Sequence, residues 1–223
     1  MFYIIIWPMA HINRDTQRER ALAVLKHHGI ARLSEFLNAD VTAATVSRMH
    51  AKGEIVQLGR GLYQLPDVQT SVHHDLAQAA KIAPKGIVCL TSALAFHELT
   101  DTIPSRVWMA IGSKDWKPVT TNFSIQFVRF GDKVLHSGVK NHVIEGVPVR
   151  IYEPAKTVVD LFRYRHSEGR RYQKSPGLNL ALEGLREALR QRKATPAEIA
   201  RYAQEGRVWK TMQPYLEAMT ANA

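Results

Sequence analysis

The segment TAATVSRMHAK over residues 42–52 carries the side chains best suited to chemistry, and that chemistry is recognition of a polyanion. Thr45, Ser47, Arg48 and Lys52 fall on the side of a helical turn opposite Val46 and Met49. Ala44 and Ser47 are small, so such a face approaches base edges closely. Arg48 offers the two-pronged donor that guanine accepts in the major groove. Bond-breaking chemistry is poorly represented. There is no GxSxG elbow, no phosphate-cradling glycine loop, no HExxH and no second cysteine to pair with Cys89. Glu153, Lys156 and Asp160 are residue types that Mg²⁺ nucleases use, but their spacing does not fit a strand-borne E-x-K. His27-His28 and His73-His74 are adjacent, so each pair points to different helix faces and reads as solvated surface. His97 and Asp101 are an i, i+4 pair explained by a helix C-terminus. No metal site and no cofactor is expected.

The elements around residues 42–52 position the recognition face. Leu33, Phe36 and Leu37 recur at i, i+3, i+4 and predict a short helix, which Asn38-Ala39-Asp40 breaks. The second helix runs over about 42–52, and Gly53 fits the helix-ending position. Strands are expected over 55–58 and 62–65, around Gly59-Arg60-Gly61, where glycine permits the positive φ of a tight hairpin. Upstream, Asp15 or Thr16 can cap a helix that reaches about His28, with Ala21, Leu22, Val24 and Leu25 inward. This order is that of a winged helix-turn-helix, whose second helix enters the major groove and whose hairpin is the wing. Arg60 at the wing tip stands where a phosphate or minor-groove contact is made.

At 223 residues the chain is too long for a winged helix alone, so a second domain is expected. Three segments follow: an N-terminal extension over 1–14, a winged helix over 15–68 and a larger domain over 71–223. The opening FYIIIWPM is too short to cross a bilayer and lacks the flanks of a signal peptide. No membrane association is expected. The single cysteine excludes an internal disulfide and fits a reducing cytoplasm; its apolar neighbours predict a buried, inert thiol.

Net charge is +10, which suggests a polyanionic partner. Residues 1–70 hold 8 Lys+Arg against 6 Asp+Glu, and residues 71–223 hold 22 against 14, so the larger part is the more basic. One cluster there is Arg163, Arg165, Arg170, Arg171 and Lys174, interleaved with Tyr164 and Tyr172. Arg186, Arg190, Arg192 and Lys193 form another. These clusters suit flanking DNA, an RNA or an acidic protein.

Beyond residue 70 the pattern mixes helix and strand. Helices are expected over about 71–82, from a cap at Thr91 or Ser92 to about 101, from Pro154 through EPAKTVVDLFRYRH, and over 178–192, 196–205 and 208–219. Strands are expected over 107–111, 124–130, 142–144 and 147–152, with Glu145-Gly146 as a hairpin turn, and residues 87–90 are a short apolar strand or the run into the helix capped by Thr91 or Ser92. The fold class is α+β: a winged helix-turn-helix, then a domain with a small, mostly antiparallel sheet and a helical C-terminal tail.

The wing segment GRGLYQLPD, the segment CLTSALAFHELTDTIPSRVWMAI, and EPAKTVVDLFRYR with a tail ending KTMQPYLEAM resemble the AbiEi-type antitoxins of type IV toxin–antitoxin systems. The resemblance runs from about residue 16 onward. It implies a cytoplasmic autorepressor, not an enzyme, that binds inverted repeats in its own promoter as a monomer or dimer. It further implies a second domain that counteracts a nucleotidyltransferase-like toxin, with or without direct contact, in abortive infection. Carried onto this chain, the DNA-binding positions are Thr45, Ser47, Arg48, Lys52 and Arg60, with Thr42 and Ala44 also facing the groove. Two rival readings are a ligand-responsive winged-helix regulator without a toxin, and a metal-dependent nuclease targeted by the winged helix.

Overall fold

A computed structural model describes residues 16–68, 71–118, 123–165 and 176–221. The expected extension over 1–14 and the cations Arg170, Arg171 and Lys174 lie outside the described residues.

Helix α1 (Gln17–His28) begins at a capping box, with Thr16 Oγ1 accepting from the Glu19 amide and the Glu19 carboxylate accepting from the Thr16 amide. Next come β1 (Ile30–Arg32), α2 (Leu33–Asn38), α3 (Ala43–Ala51), β2 (Val56–Gly59) and β3 (Leu62–Gln64). β1 was not expected, because three residues are too few for alternation to register. It pairs antiparallel with β3 from Ile30–Gln64 to Arg32–Leu62, giving the order β1-β3-β2. Ala21, Leu25, Phe36, Val41, Val46, Met49 and Ile55 form the core of this unit. Leu37, expected to face inward, is 50% exposed, because Phe36 and Leu33 already supply what α2 gives the core. In the hairpin the register slips between Gln57 and Gly59, and of the two glycines only Gly61 takes a positive φ, 67°.

The rest of the chain builds a five-stranded sheet of order β6-β5-β4-β8-β7. Its strands are β4 (Ile87–Val88), β5 (Val107–Gly112), β6 (Ile125–Phe130), β7 (Val139–Ile144) and β8 (Val147–Tyr152). β4 pairs antiparallel with β5, and β7 with β8; β5–β6 and β4–β8 are parallel. Among the described residues four of the six strand pairings are antiparallel: both in the winged-helix unit and two of the four in this sheet. The expected Glu145-Gly146 turn forms with φ of 52° and 76°.

Helices are α4 (His74–Ile82), α5 (Leu90–Phe96), α6 (Asp132–Leu135), α7 (Pro154–Tyr164), α8 (Gly177–Arg190), α9 (Pro196–Glu205) and α10 (Trp209–Thr220). Along β5 the side chains alternate between two cores. Trp108 and Ala110 join the cluster beneath α5 and α7–α10, while Val107, Met109 and Ile111 join the cluster beneath α4. The sheet is therefore covered on both faces. Both ends of α5 differ from expectation. α5 is preceded by Cys89 rather than capped by Thr91 or Ser92, because the Ser92 hydroxyl accepts from the Trp108 amide at 2.9 Å. It ends at Phe96 rather than near 101, where His97 turns its Nε2 to the Tyr152 carbonyl at 2.7 Å instead of meeting Asp101. The short α6 was not expected, and among the described residues no helix is long and apolar enough to cross a membrane.

The winged-helix unit and the larger sheet share one core. Ile30 and Leu62 belong to the cluster that holds Leu76, Ala77 and Ala80 of α4 together with Met109 and Val149. Polar contacts close the same seam: Lys81 Nζ to Glu35 at 2.6 Å, and the Arg32 guanidinium to the Ile82 carbonyl at 2.8 Å. Glu145 accepts from the Ser71 amide at 2.6 Å and lies 2.7 Å from His74 Nδ1. Burial works to raise the Glu145 carboxyl, but these bonds outweigh it and hold the group below its ordinary value. His74 is therefore a partner of Glu145 and not the solvated residue that the sequence suggested.

Candidate nucleic-acid interface

Helix α3 owes its position to both ends. Thr42 is extended at φ −71° and ψ 151°, and its hydroxyl accepts from the Thr45 amide at 3.3 Å. Lys52 ends the helix and Gly53 follows at φ 71°. Val46 and Met49 are buried against α1 and α2. Their burial turns Ala44, Ser47, Arg48 and Ala51, at i, i+3, i+4 and i+7, together into solvent.

Thr42 and Thr45 have a further task. The Gln17 side-chain oxygen on α1 accepts from the Thr42 amide at 3.1 Å, the Thr42 hydroxyl at 3.0 Å and the Thr45 hydroxyl at 2.7 Å. Those hydroxyls fix the start of α3 on α1. Arg18 with Glu54 at 2.6 Å, and Arg20 with the Asp40 carbonyl at 2.8 Å, brace the loops on either side of α3. Thr45 is half-buried, whereas Thr42, Ala44, Ser47, Arg48 and Lys52 are exposed. Arg60 is exposed at the turn between β2 and β3. Ala51 completes the outward stripe and was not singled out, because a lone alanine carries no signal of its own.

The other candidates separate. Arg163 is exposed with its guanidinium 6.0 Å from the Phe130 ring. Arg165 donates to the Phe162 carbonyl at 2.6 Å at the end of its own helix. Arg190 is paired with Glu187, and Lys193 donates to the His97 carbonyl at 2.6 Å. Glu153 accepts from the Tyr202 hydroxyl at 2.5 Å and lies 3.5 Å from Lys140. Lys156 and Asp160 form a buried ion pair in the core, 3% and 2% exposed. Burial pushes the Asp160 carboxyl up, against the pull of the Lys156 ammonium. Glu153 and Asp160 are thus engaged with different partners. Among the described residues no three His, Cys, Asp or Glu side chains converge as a metal would require. Burial likewise raises the Cys89 thiol, which lies wholly inside.

Three helices, a three-stranded sheet and an outward α3 beside a hairpin define a winged-helix fold of the kind that docks on duplex DNA. Residues 19–66 match the family described as "Transcriptional regulator, AbiEi antitoxin". No curated protein matches the chain. The crystal structure of the RV2827C protein from Mycobacterium tuberculosis resembles it over 92% of this chain and 80% of that one. The TM-score is 0.54 and the identity 12%, a likeness of fold alone.

Proposed function

We propose that the protein is an antitoxin that binds its own promoter and represses transcription, with residues 15–68 as the DNA-binding domain and 71–223 as the domain that counters a nucleotidyltransferase-like toxin. The observation that carries the DNA half is the outward stripe of α3, in which Ala44, Ser47, Arg48 and Ala51 are exposed together, with Arg60 exposed on the wing. The small residues let α3 seat deeply in the major groove, and Arg48 reads a guanine edge there. Lys52 and Arg60 meet phosphates, which set orientation rather than sequence preference, while Thr42, whose amide and hydroxyl both donate to Gln17, holds the start of α3 toward the groove. Binding to inverted repeats places two copies on one operator. The antitoxin half rests on the family of residues 19–66. The setting is the cytoplasm, with no cofactor.

Gel-shift titration of the chain's own upstream region against scrambled DNA tests the first half. Arg48→Ala is expected to lose about 1–3 kcal/mol of discrimination between the two duplexes. Arg60→Ala is expected to weaken both equally and to reduce the salt slope by about one. Equal, salt-sensitive binding of the parental protein to both duplexes would remove the repressor reading. For the second half, the full chain is expected to restore growth to cells arrested by the product of the adjacent gene. Continued arrest at matched expression would remove it.

A further inference from the structure

Three histidines gather on one aromatic ring where α5 meets the β7–β8 hairpin, and neither the recognition helix nor the buried ion pair of α7 uses them. His73 stands just before α4, His97 just after α5, and His142 lies on β7. Their ring centres lie 4.9, 5.2 and 4.9 Å from that of Phe96. Phe96 packs in turn on the core beneath α4.

Two of the three rings are placed so that a positive charge on them is costly. His97 donates from Nε2 to the Tyr152 carbonyl at 2.7 Å, so only its Nδ1 is left to take up a proton. His142 Nε2 is buried and has no hydrogen-bond partner among the described residues. Neutral, this ring keeps its proton on Nδ1 and buries only a lone pair. Charged, it buries an N–H donor that nothing accepts.

The charged groups on the surrounding elements give little relief. On the hairpin, Glu145 is taken by the Ser71 amide and His74, and Lys140 lies beside Glu153, which accepts from Tyr202. On β8, Val149 stands opposite His142 and Arg150 donates to the Pro84 carbonyl. On α4, Lys81 is paired with Glu35 and Asp75 is exposed. Beyond α5, Lys193 pairs with Glu98 and sets its ammonium on the His97 carbonyl.

We propose that His73, His97 and His142 form an acid-sensitive latch on Phe96, closed while the imidazoles are neutral and opened when they take up protons. Opening frees the hairpin whose turn carries Glu145 and rests against Gly29 at the end of α1. The latch thereby makes the join between the winged-helix unit and the larger sheet respond to pH, whatever the protein binds. Burial depresses His97 and His142 below the ordinary imidazole range. The unfolded chain therefore takes up protons first, and the stabilisation is complete above about pH 6.5 and lost as the pH falls below it. Glu145, held below its ordinary value of 4.5, acts in a lower window.

The test is amide hydrogen exchange, corrected for intrinsic rates, and urea unfolding at pH 7.5 and 5.5. Acidification is expected to lower the protection of the β7–β8 amides, and the folded-to-unfolded ratio, by about tenfold. His142→Phe keeps a ring on Phe96 but cannot charge, so at least half of that dependence should vanish. His136→Gln, at an exposed histidine outside the cluster, should leave it intact. Equal pH dependence in the parental protein and His142→Phe overturns the latch, as does a parental hairpin whose protection is the same at both pH values. Should His142→Phe fail to fold, NMR titration of the parental imidazoles decides. His142 protonating below the ordinary range, in step with the loss of hairpin protection, supports the latch, and His142 protonating at or above that range overturns it.

Discussion

Replacing Asp160 with alanine is expected to destabilise the protein by about 3–5 kcal/mol, because it strands a charge in the core. Lys156 and Asp160 sit one turn apart on α7, between β8 and the C-terminal helices, and are almost fully buried. Without the carboxylate, the ammonium would face the rings of Tyr152 at 4.3 Å and Phe130 at 4.9 Å. Ring faces attract a cation by about 0.5–2 kcal/mol, too little to replace an ion pair out of water. The double replacement Lys156→Met/Asp160→Leu removes both charges and should recover most of the loss, as apolar pairs of similar volume do. Urea unfolding of the parental, single and double variants measures this. A single variant within about 1 kcal/mol of the parental protein would mean that the pair contributes no buried charge interaction.

The second large effect is expected at Gly29, where α1 meets the β7–β8 turn. Gly29 takes φ 66°, and a Cβ there would stand 2.0 Å from the Glu145 carbonyl oxygen. Gly29→Ala combines backbone strain with a clash against main chain, so a loss of roughly 2–4 kcal/mol is expected. Relief requires the turn to retreat, and the turn carries Glu145, which holds the Ser71 amide and His74. The variant should therefore loosen the seam between the winged helix and the larger sheet as well as lower stability. Limited proteolysis and thermal melting follow both effects, while gel shift reports whether α3 still reads DNA. A melt unchanged from the parental protein would show that the approach at Gly29 relaxes freely.

The local chemistry of the recognition unit was legible in the sequence. Val46 and Met49 against Ala44, Ser47 and Arg48 announced an amphipathic helix, Gly53 marked its end, and Gly59-Arg60-Gly61 marked the turn of the wing. These signals are short-range: a 3.6-residue period, a capping hydroxyl and a positive φ each need only neighbours in the chain. The α+β order of the larger part was readable for the same reason, down to Pro154 at the start of α7 and Glu145-Gly146 in the hairpin.

Tertiary structure decided what those residues touch. β1 is a strand only because β3 lies beside it, and the Thr42 and Thr45 hydroxyls donate directly to Gln17, which lies 25 and 28 residues away in sequence. Glu153 is the N-cap of α7 and Asp160 follows about two helical turns later, yet packing sends one to Tyr202 and the other to the buried Lys156. Arg129 of β6 fastens the turn after β5 through the Gly112, Ser113 and Asp115 carbonyls, contacts that no local pattern announces. Periodicity and caps follow from covalent neighbours and are written along the chain. Which side chain is left unpaired, and beside which element it stands, depends on contacts between distant segments that only the folded core brings together.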